Sequence, residues 1–482
     1  MAKTVSPGVQ ALRKVVEDVY ADARKAKAEG KLVGWSSSKF PCELAEAFDL
    51  NVMYPENQAA GIAANRDGEI MCKAAEDLGF DNDICGYARI SLAYAAGKRA
   101  SRKVDLETGE YVINPNSGKP LKDENGNVVI DPETGKPKKD PKTMQPYTVL
   151  DDIYEIEALP EGREKELRKA AIKPYRQMQM PQPDFMLCCN NICNCMTKWY
   201  ENIARMRNIP LIMIDIPYNN TVDVHDTNVA YVRAQFDSAI KQLEELTGKK
   251  FDEKKFEQAC ANANRTAQAW LRVCDYLQYK PSPYSGFDLF NHMADVVTAR
   301  GKVAAAEAFE LLEKDLEEAV KNGTSTTPFP EKYRVMFEGI PCWPKLPNLF
   351  KPLKEHGVNV TAVVYAPAFG FVYNNMDEMV RAYYKAPNSV CIEQGVDWRE
   401  GICRDNKVDG VLVHYNRSCK PWSGYMAEMQ RRFTEDLGVP CAGFDGDQAD
   451  PRNFNEAQYE TRVQGLVEAM EANQAKKEAE AK

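Results

Sequence analysis

Histidine is scarce in this chain: four in 482 residues, at positions 225, 292, 356 and 414, with no H-x-x-x-H or H-E-x-x-H spacing. That spacing is what lets two imidazoles on one helix face share an ion, so the common histidine-built metal sites are excluded. His414 lies on a strand pattern and reads as a core or supporting residue. Neither G-x-x-x-x-G-K-[ST] nor G-x-G-x-x-G occurs, so neither common nucleotide-binding loop is available. No apolar run approaches the length of a bilayer span. The opening stretch also lacks the unbroken apolar core of an export signal and reads as an amphipathic helix, with Leu12, Val15, Val16 and Val19 on one face. A cytoplasmic location is expected. The net charge of -9, with both signs interspersed, argues against nucleic acid or an anionic membrane as the main partner.

Cysteine, by contrast, is plentiful, with 14 in the chain. In a reducing compartment, clustered thiols point to metal binding or catalysis rather than disulfides. Four fall within "CCNNICNC" (188–195), none of them in C-x-x-C spacing. Cys260 and Cys274 sit on amphipathic helical patterns and read as small buried hydrophobes.

The chain is too long for one ordinary core. "KLVGW" and "LNVMY" flank the helical "PCELAEAF", a strand-helix-strand unit that implies a parallel pair, with Ser36, Ser37, Ser38 and then Glu56 in the loops that follow. Between about 101 and 150 a "VI-D/N-P-x-[ST]-G-K-P" phrase occurs twice among turn signals, as in an exposed hairpin insertion peripheral to any chemistry. Helical periodicity dominates 228–325, and "YRVMFEGIPCW", "VNVTAVVYAP", "VDGVLVHY" and "VPCAGFD" then supply four more strand candidates. The tail "EANQAKKEAEAK" reads as a fraying charged helix end. The expected class is α/β: two open parallel-sheet domains, 1–227 and 329–482, joined by a helical segment, 228–328.

A duplication runs through this plan. Residues 184–215 and 409–445 both read Asp, Leu three residues on, N-x-x-C, an amphipathic helix, then Pro with Asp five residues later. The match pairs Asn190 with Asn416, Cys193 with Cys419, Pro210 with Pro440 and Asp215 with Asp445. In open α/β sheets the loops at the carboxyl ends of strands form the binding crevice, and helix N-termini there favour a thiolate. Cys85, in "DNDICGYARISLAYAAG", opens a helix in the same manner. Three thiols from separate segments suit a soft iron-sulfur cluster with one iron left open better than zinc, which usually declares four close-paired ligands. A zinc-stabilised, non-catalytic binding module stays open as the other reading.

"VGWSSSKFPCELAEAF", "YPENQAAGIAANRDGE", "DNDICGYARISLAYAAG", "CCNNICNCMTKWYENIA", "FEGIPCWPKLPNLFKPL", "VVYAPAFGFVYNN" and "HYNRSCKPWSGYM" resemble the 2-hydroxyacyl-CoA dehydratase family, which also includes benzoyl-CoA reductase subunits. The likeness covers essentially the whole chain. It implies a four-iron four-sulfur cluster held by Cys85, Cys193 and Cys419, with Cys189 the alternative middle ligand and the fourth coordination site open to water or substrate. The implied activity is reversible syn-elimination of water from a (R)-2-hydroxyacyl-CoA, here (R)-2-hydroxyglutaryl-CoA to glutaconyl-CoA, through ketyl radicals. Net reduction of the benzoyl-CoA reductase type is the rival activity.

The likeness also places Ser37, Ser38 and Glu56 near the substrate, Ser38 on an oxygen of the thioester or hydroxyl and Glu56 exchanging the proton. From the residues alone, "SSS" could instead cap a helix and Glu56 could be a solvated loop carboxylate. Further implied are a homologous beta subunit with its own cluster, a separate ATP-dependent iron-sulfur activator, and in some members a flavin (FMN), for which the sequence marks no site. A distal carboxylate on the acyl group calls for a cation, and Arg89 and Arg417 lie near the expected ligands.

Overall fold

A computed structural model describes residues 5–387 and 389–480; the ends of the first and last helical readings, 1–4 and 481–482, lie outside them. Its strands are β1 (Val33–Ser36), β2 (Asn51–Met53), β3 (Lys98–Arg102), β4 (Thr148–Asp152), β5 (Phe185–Cys189), β6 (Leu211–Ile214), β7 (Tyr333–Glu338), β8 (Val358–Val363), β9 (Gly410–Asn416) and β10 (Cys441–Gly446). They form two four-stranded sheets, ordered β2-β1-β5-β6 and β8-β7-β9-β10, and every pairing within them is parallel. The chain is therefore an α/β protein, and its two sheets share one strand order.

The duplicated residues explain why the order repeats. Asp184 donates its N–H to the carbonyl of Val33 (2.8 Å) and accepts the Val33 N–H on Oδ2 (2.9 Å), which fixes β5 beside β1. Asp409 does the same to Arg334, at 2.7 and 2.9 Å, and fixes β9 beside β7. At the other edge the carbonyls of Pro210 and Pro440 accept from Met186 and Val411, at 2.8 and 2.9 Å. Proline lacks an N–H but keeps its acceptor, so it can precede a strand without leaving a donor orphaned.

Strands β1, β5, β7 and β8 are buried on both faces, as apolar runs without alternation require in a parallel sheet. The helix Pro7–Ala28 turns Leu12, Val15, Val16 and Val19 inward against the helix Val303–Lys321. The two come so close at Gly8 that a Cβ there would lie 2.4 Å from the Leu312 Cα. The helical segment is more than a connector. Its helix Glu253–Asp275 packs on Cys42–Ala47 of the first half, while the Trp270 indole donates to the carbonyl of Ala366 in the second (2.9 Å). Buried Glu43 spans the same seam, accepting from Tyr373 (2.5 Å) and Tyr383 (3.0 Å).

The insertion is a hairpin whose stem pairs β3 with β4 antiparallel, from Lys98 opposite Asp152 to Arg102 opposite Thr148. Its repeated phrase is a repeated turn. Asn114 and Asp131, the variable position of "VI-D/N-P", each accept the N–H two residues on (3.0 and 2.9 Å). Ile113, Val128 and Ile130 are exposed along it. The terminal helix Glu456–Glu480 buries Tyr459, Val463, Leu466 and Met470, and its last turns are solvated.

Candidate active site

Cys85, Cys193 and Cys419 occupy the same local position in three places. Each is the last residue before a helix: Gly86–Ala95, Asn194–Arg207 and Lys420–Ser423 respectively. In each, the backbone N–H three residues on, at Ala88, Met196 and Trp422, faces the sulfur. These are helix N-termini with free N–H groups, where negative charge on sulfur is favoured. All three line one inner cavity, together with Cys195 from the first turn of the second helix.

Cys188 and Cys189 do not reach that cavity. Both lie in β5 and are fully buried, and the Cys189 thiol donates to Asn191 Oδ1 (2.9 Å). The alternative middle ligand, Cys189, is thus packed in the core away from the cavity, and Cys195, which the spacing argument passes over, stands in the cavity instead. Ser37 is likewise turned away, since its hydroxyl accepts the Cys189 N–H (3.1 Å). None of the three serines caps a helix: the helix Cys42–Ala47 follows Pro41 and has no side-chain cap.

Glu56 is neither in a loop nor solvated. It sits in the first turn of the helix Pro55–Ala64, 9% exposed. Its Oε1 accepts the Ser38 N–H (2.8 Å) and its Oε2 accepts the Tyr200 hydroxyl (2.8 Å). Burial raises its pKa above the usual carboxylate range although both donors oppose the shift. Glu56 and Ser38 line the inner cavity and also an outer cleft of about 580 Å³ that runs past Asn57, Arg176 and Leu346. Tyr365 and Phe369 are shared by both, so the two spaces meet at the carboxyl.

The thiols shift one another's pKa values. A hydrogen bond with Cys195, then burial, pushes Cys85 up, and the same bond lowers Cys195. Burial and the neighbouring sulfurs raise Cys193, and push Cys419 up to about 12. Gln448 Nε2 donates to Cys85 Sγ (3.2 Å), and its own Oε1 accepts from Ser418 (3.3 Å), whose hydroxyl also accepts the Gly86 N–H (3.0 Å).

The two arginines near the thiols are occupied elsewhere. Arg89 is buried against Glu76 (2.8 Å) and Asp450 (2.9 Å), and Arg417 is exposed beside Asp445 (3.8 Å); neither lines the cavity. His414 is a core residue, stacked on Phe444 with centroids 4.9 Å apart, its Nδ1 2.6 Å from the Ile340 carbonyl oxygen. Burial lowers its pKa to about 4.

The donor set bears on which group fits. Among the described residues no three His, Cys, Asp or Glu side chains are close enough to hold a single ion. A polynuclear cluster places each thiolate on a different iron and so needs its sulfurs further apart than one zinc does. Soft donors, several N–H groups aimed at sulfur and a wall of Met196, Trp199, Ile340 and Trp422 suit an iron-sulfur cluster. The inner space, about 80 Å³, can take a compact group but not a coenzyme A ester as well.

Residues 165–470 match the family described as 2-hydroxyglutaryl-CoA dehydratase, D-component. The chain is 76% identical to the alpha subunit of (R)-2-hydroxyglutaryl-CoA dehydratase from Acidaminococcus fermentans, over 99% of this chain and 100% of that one. It is 45% identical to the (R)-phenyllactyl-CoA dehydratase alpha subunit of Clostridium sporogenes, covering 97% and 96% of the two chains. A benzoyl-CoA reductase subunit from Thauera aromatica is 25% identical over 61% of this chain and 71% of that one.

Proposed function

This chain belongs to the 2-hydroxyglutaryl-CoA dehydratase, D-component family, as a 2-hydroxyacyl-CoA dehydratase subunit, and we propose that it carries the site that dehydrates (R)-2-hydroxyglutaryl-CoA to glutaconyl-CoA. The observation that carries the reading is the meeting of three cysteines that each precede a helix with a buried Glu56 of raised pKa at the inner end of a cleft.

In this reading Cys85, Cys193 and Cys419 would hold a four-iron four-sulfur cluster. The difficulty of the reaction is the β-hydrogen, which ordinary base catalysis does not remove at neutral pH. A bound cluster would supply the electron that turns the thioester into a ketyl, so that the hydroxide leaves and the β-hydrogen becomes acidic, and would take the electron back as the enoyl product forms. Glu56 then takes that proton on its carboxylate and hands it to the departing hydroxide, which suits loss of both from one face. Its raised pKa makes it a stronger base than a solvated glutamate. The Ser38 N–H and the Tyr200 hydroxyl keep the carboxyl aimed. The coenzyme A portion lies in the outer cleft, where Arg176 offers a cation. Tyr365, Phe369 and Trp422 exclude water from the inner end.

The relatives are named as alpha subunits, which implies a partner subunit. The proposed assembly adds a homologous beta subunit with its own cluster and an ATP-dependent activator that injects the electron. An FMN in the complex belongs to the same proposal, with no residue of this chain assigned to it.

The test is an anaerobic assay of the purified complex with activator and ATP, beside iron and acid-labile sulfide analysis. Glutaconyl-CoA formed with only catalytic reductant, and about four irons and four sulfides for this subunit, is the expected result. Stoichiometric consumption of reductant would replace the dehydratase by a net reductase. Zinc without sulfide would remove the cluster.

A further inference from the structure

A glutaryl substrate places a carboxylate two bonds from the carbon that loses its proton. With that carbon at Glu56, where the two spaces meet, and the coenzyme A portion in the outer cleft, the carboxylate at the far end of the acyl chain is directed to the inner space, and the group that neutralises it is sought among the residues lining that space. Among the described residues lining it there is one Lys or Arg, Lys39. It follows directly on Ser38, whose N–H holds Glu56.

Lys39 is 2% exposed. Its Nζ donates to the carbonyl of Ala368 (2.8 Å) and lies 4.7 and 5.0 Å from the ring centroids of Phe369 and Phe371. An ammonium has three donors, and this one spends a single hydrogen bond on the described residues. The charged neighbours that act on it are the Arg300 guanidinium, which opposes its charge, and the Cys189 thiol; no carboxylate among the described residues acts on it. Burial and Arg300 bring its pKa down to about 7. A buried cation without a counter-ion is costly, and such groups are ordinarily paired. Arg300 itself lies outside the cavity lining, and Arg89 and Arg417 are engaged with their own carboxylates.

We propose that Lys39 is the specificity residue of this subunit: its ammonium pairs with the distal carboxylate of a dicarboxylic 2-hydroxyacyl-CoA, and so selects that class over neutral acyl groups. The inference rests on the dehydratase reading above and adds to it the residue that chooses the acyl chain. The carboxylate supplies the missing counter-ion, and the rings of Phe369 and Phe371 flank the pair.

The experiment compares kcat/KM of the complex for (R)-2-hydroxyglutaryl-CoA and for (R)-2-hydroxypentanoyl-CoA, which has the same carbon chain without the carboxylate. In Lys39→Met the ratio should fall by about 30-fold or more, chiefly through KM for the dicarboxylic ester, as loss of a buried charge-assisted bond requires. Rates for both esters falling by one common factor, or an unchanged ratio, would overturn the assignment, because Lys39 would then serve the thioester end or only the fold. If Lys39→Met does not assemble, Lys39→Gln is read in the same way. A measurement without substitution stands behind both: glutaryl-CoA should inhibit the parent complex at least about tenfold more tightly than its terminal amide, and equal inhibition would refute the pairing. A parent complex that dehydrates neither ester withdraws the dehydratase reading; one that dehydrates only the neutral ester withdraws Lys39 alone.

Discussion

The Tyr200 hydroxyl donates to Glu56 Oε2 at 2.8 Å, and the other carboxylate oxygen takes the Ser38 N–H, so a buried carboxyl is held at both ends by groups that can only favour its charged form. Burial nevertheless prevails and raises its pKa.

Glu56→Gln should therefore separate activity from stability. A carboxyl whose folded pKa is raised contributes stability below its unfolded value and loses it as pH rises through the folded one. The variant escapes that loss, so its Tm relative to the parent should increase as pH rises above the ordinary carboxylate range. Turnover should fall about 100-fold or more while iron content is kept. Unchanged turnover would return Glu56 to a structural role.

The thiols make a residue-by-residue prediction. Cys85→Ser, Cys193→Ser and Cys419→Ser should each lose most of the bound iron, read by iron and sulfide analysis under anaerobic conditions. Cys188→Ser and Cys189→Ser should keep it, because those side chains are buried in the cores beside β5 and do not line the cavity. Cys195→Ser is the discriminating variant: it lines the same cavity beside Cys85 and should retain iron if Cys193 is the ligand. Loss of iron in Cys195→Ser with retention in Cys193→Ser would exchange the two.

Asp184 and Asp409 should prove equivalent in energy as well as in place. Each carboxylate accepts an N–H near the start of the neighbouring strand, from Val33 and from Arg334, and replacing either by alanine leaves that donor to solvent or to nothing. Each substitution should cost about 1–2 kcal/mol in urea unfolding. A cost at only one of the two would break the symmetry inferred for the sheets.

Replacing residues 104–146 by a short turn should leave the stem of β3 and β4 intact, since its register is set by the pairs from Lys98–Asp152 to Arg102–Thr148. Circular dichroism and iron content should match the parent. Loss of fold would show that the insertion carries stability through its bonds from Arg163 to Glu107 and from Tyr111 to Ala170.

The duplication was legible in the sequence because its residues act locally: Asp184, Pro210 and their counterparts bond to backbone at a fixed register, and such roles keep their spacing. Cys85, Cys193 and Cys419 were legible for the same reason, as residues that open helices. The repeated phrase of the insertion named its own turns. What the sequence withheld depends on approach across the seam. Periodicity marks the segment 228–328 as helical but not as the layer that joins both halves. Choosing between Cys193, Cys195 and Cys189 needs the direction in which each side chain leaves the backbone. Lys39 and Gln448 matter only because Ala368 and Cys85 come to meet them from remote parts of the chain. Glu56 was misplaced for a simpler reason: Pro55 stands where proline commonly begins a helix, so the carboxylate belongs to a first turn.

The meeting of both halves at one cavity has a mechanical consequence. The outer cleft takes Asn57 and Arg176 from one side of the seam and Trp343 and Leu346 from the other, and the thiols behind it are divided in the same way. Any hinge motion that widens the route for an incoming ester must loosen the seal over the sulfurs in the same stroke. Admission of substrate and exposure to oxidants are then one degree of freedom, and the bonds of Glu43 and Trp270 across the seam set its stiffness.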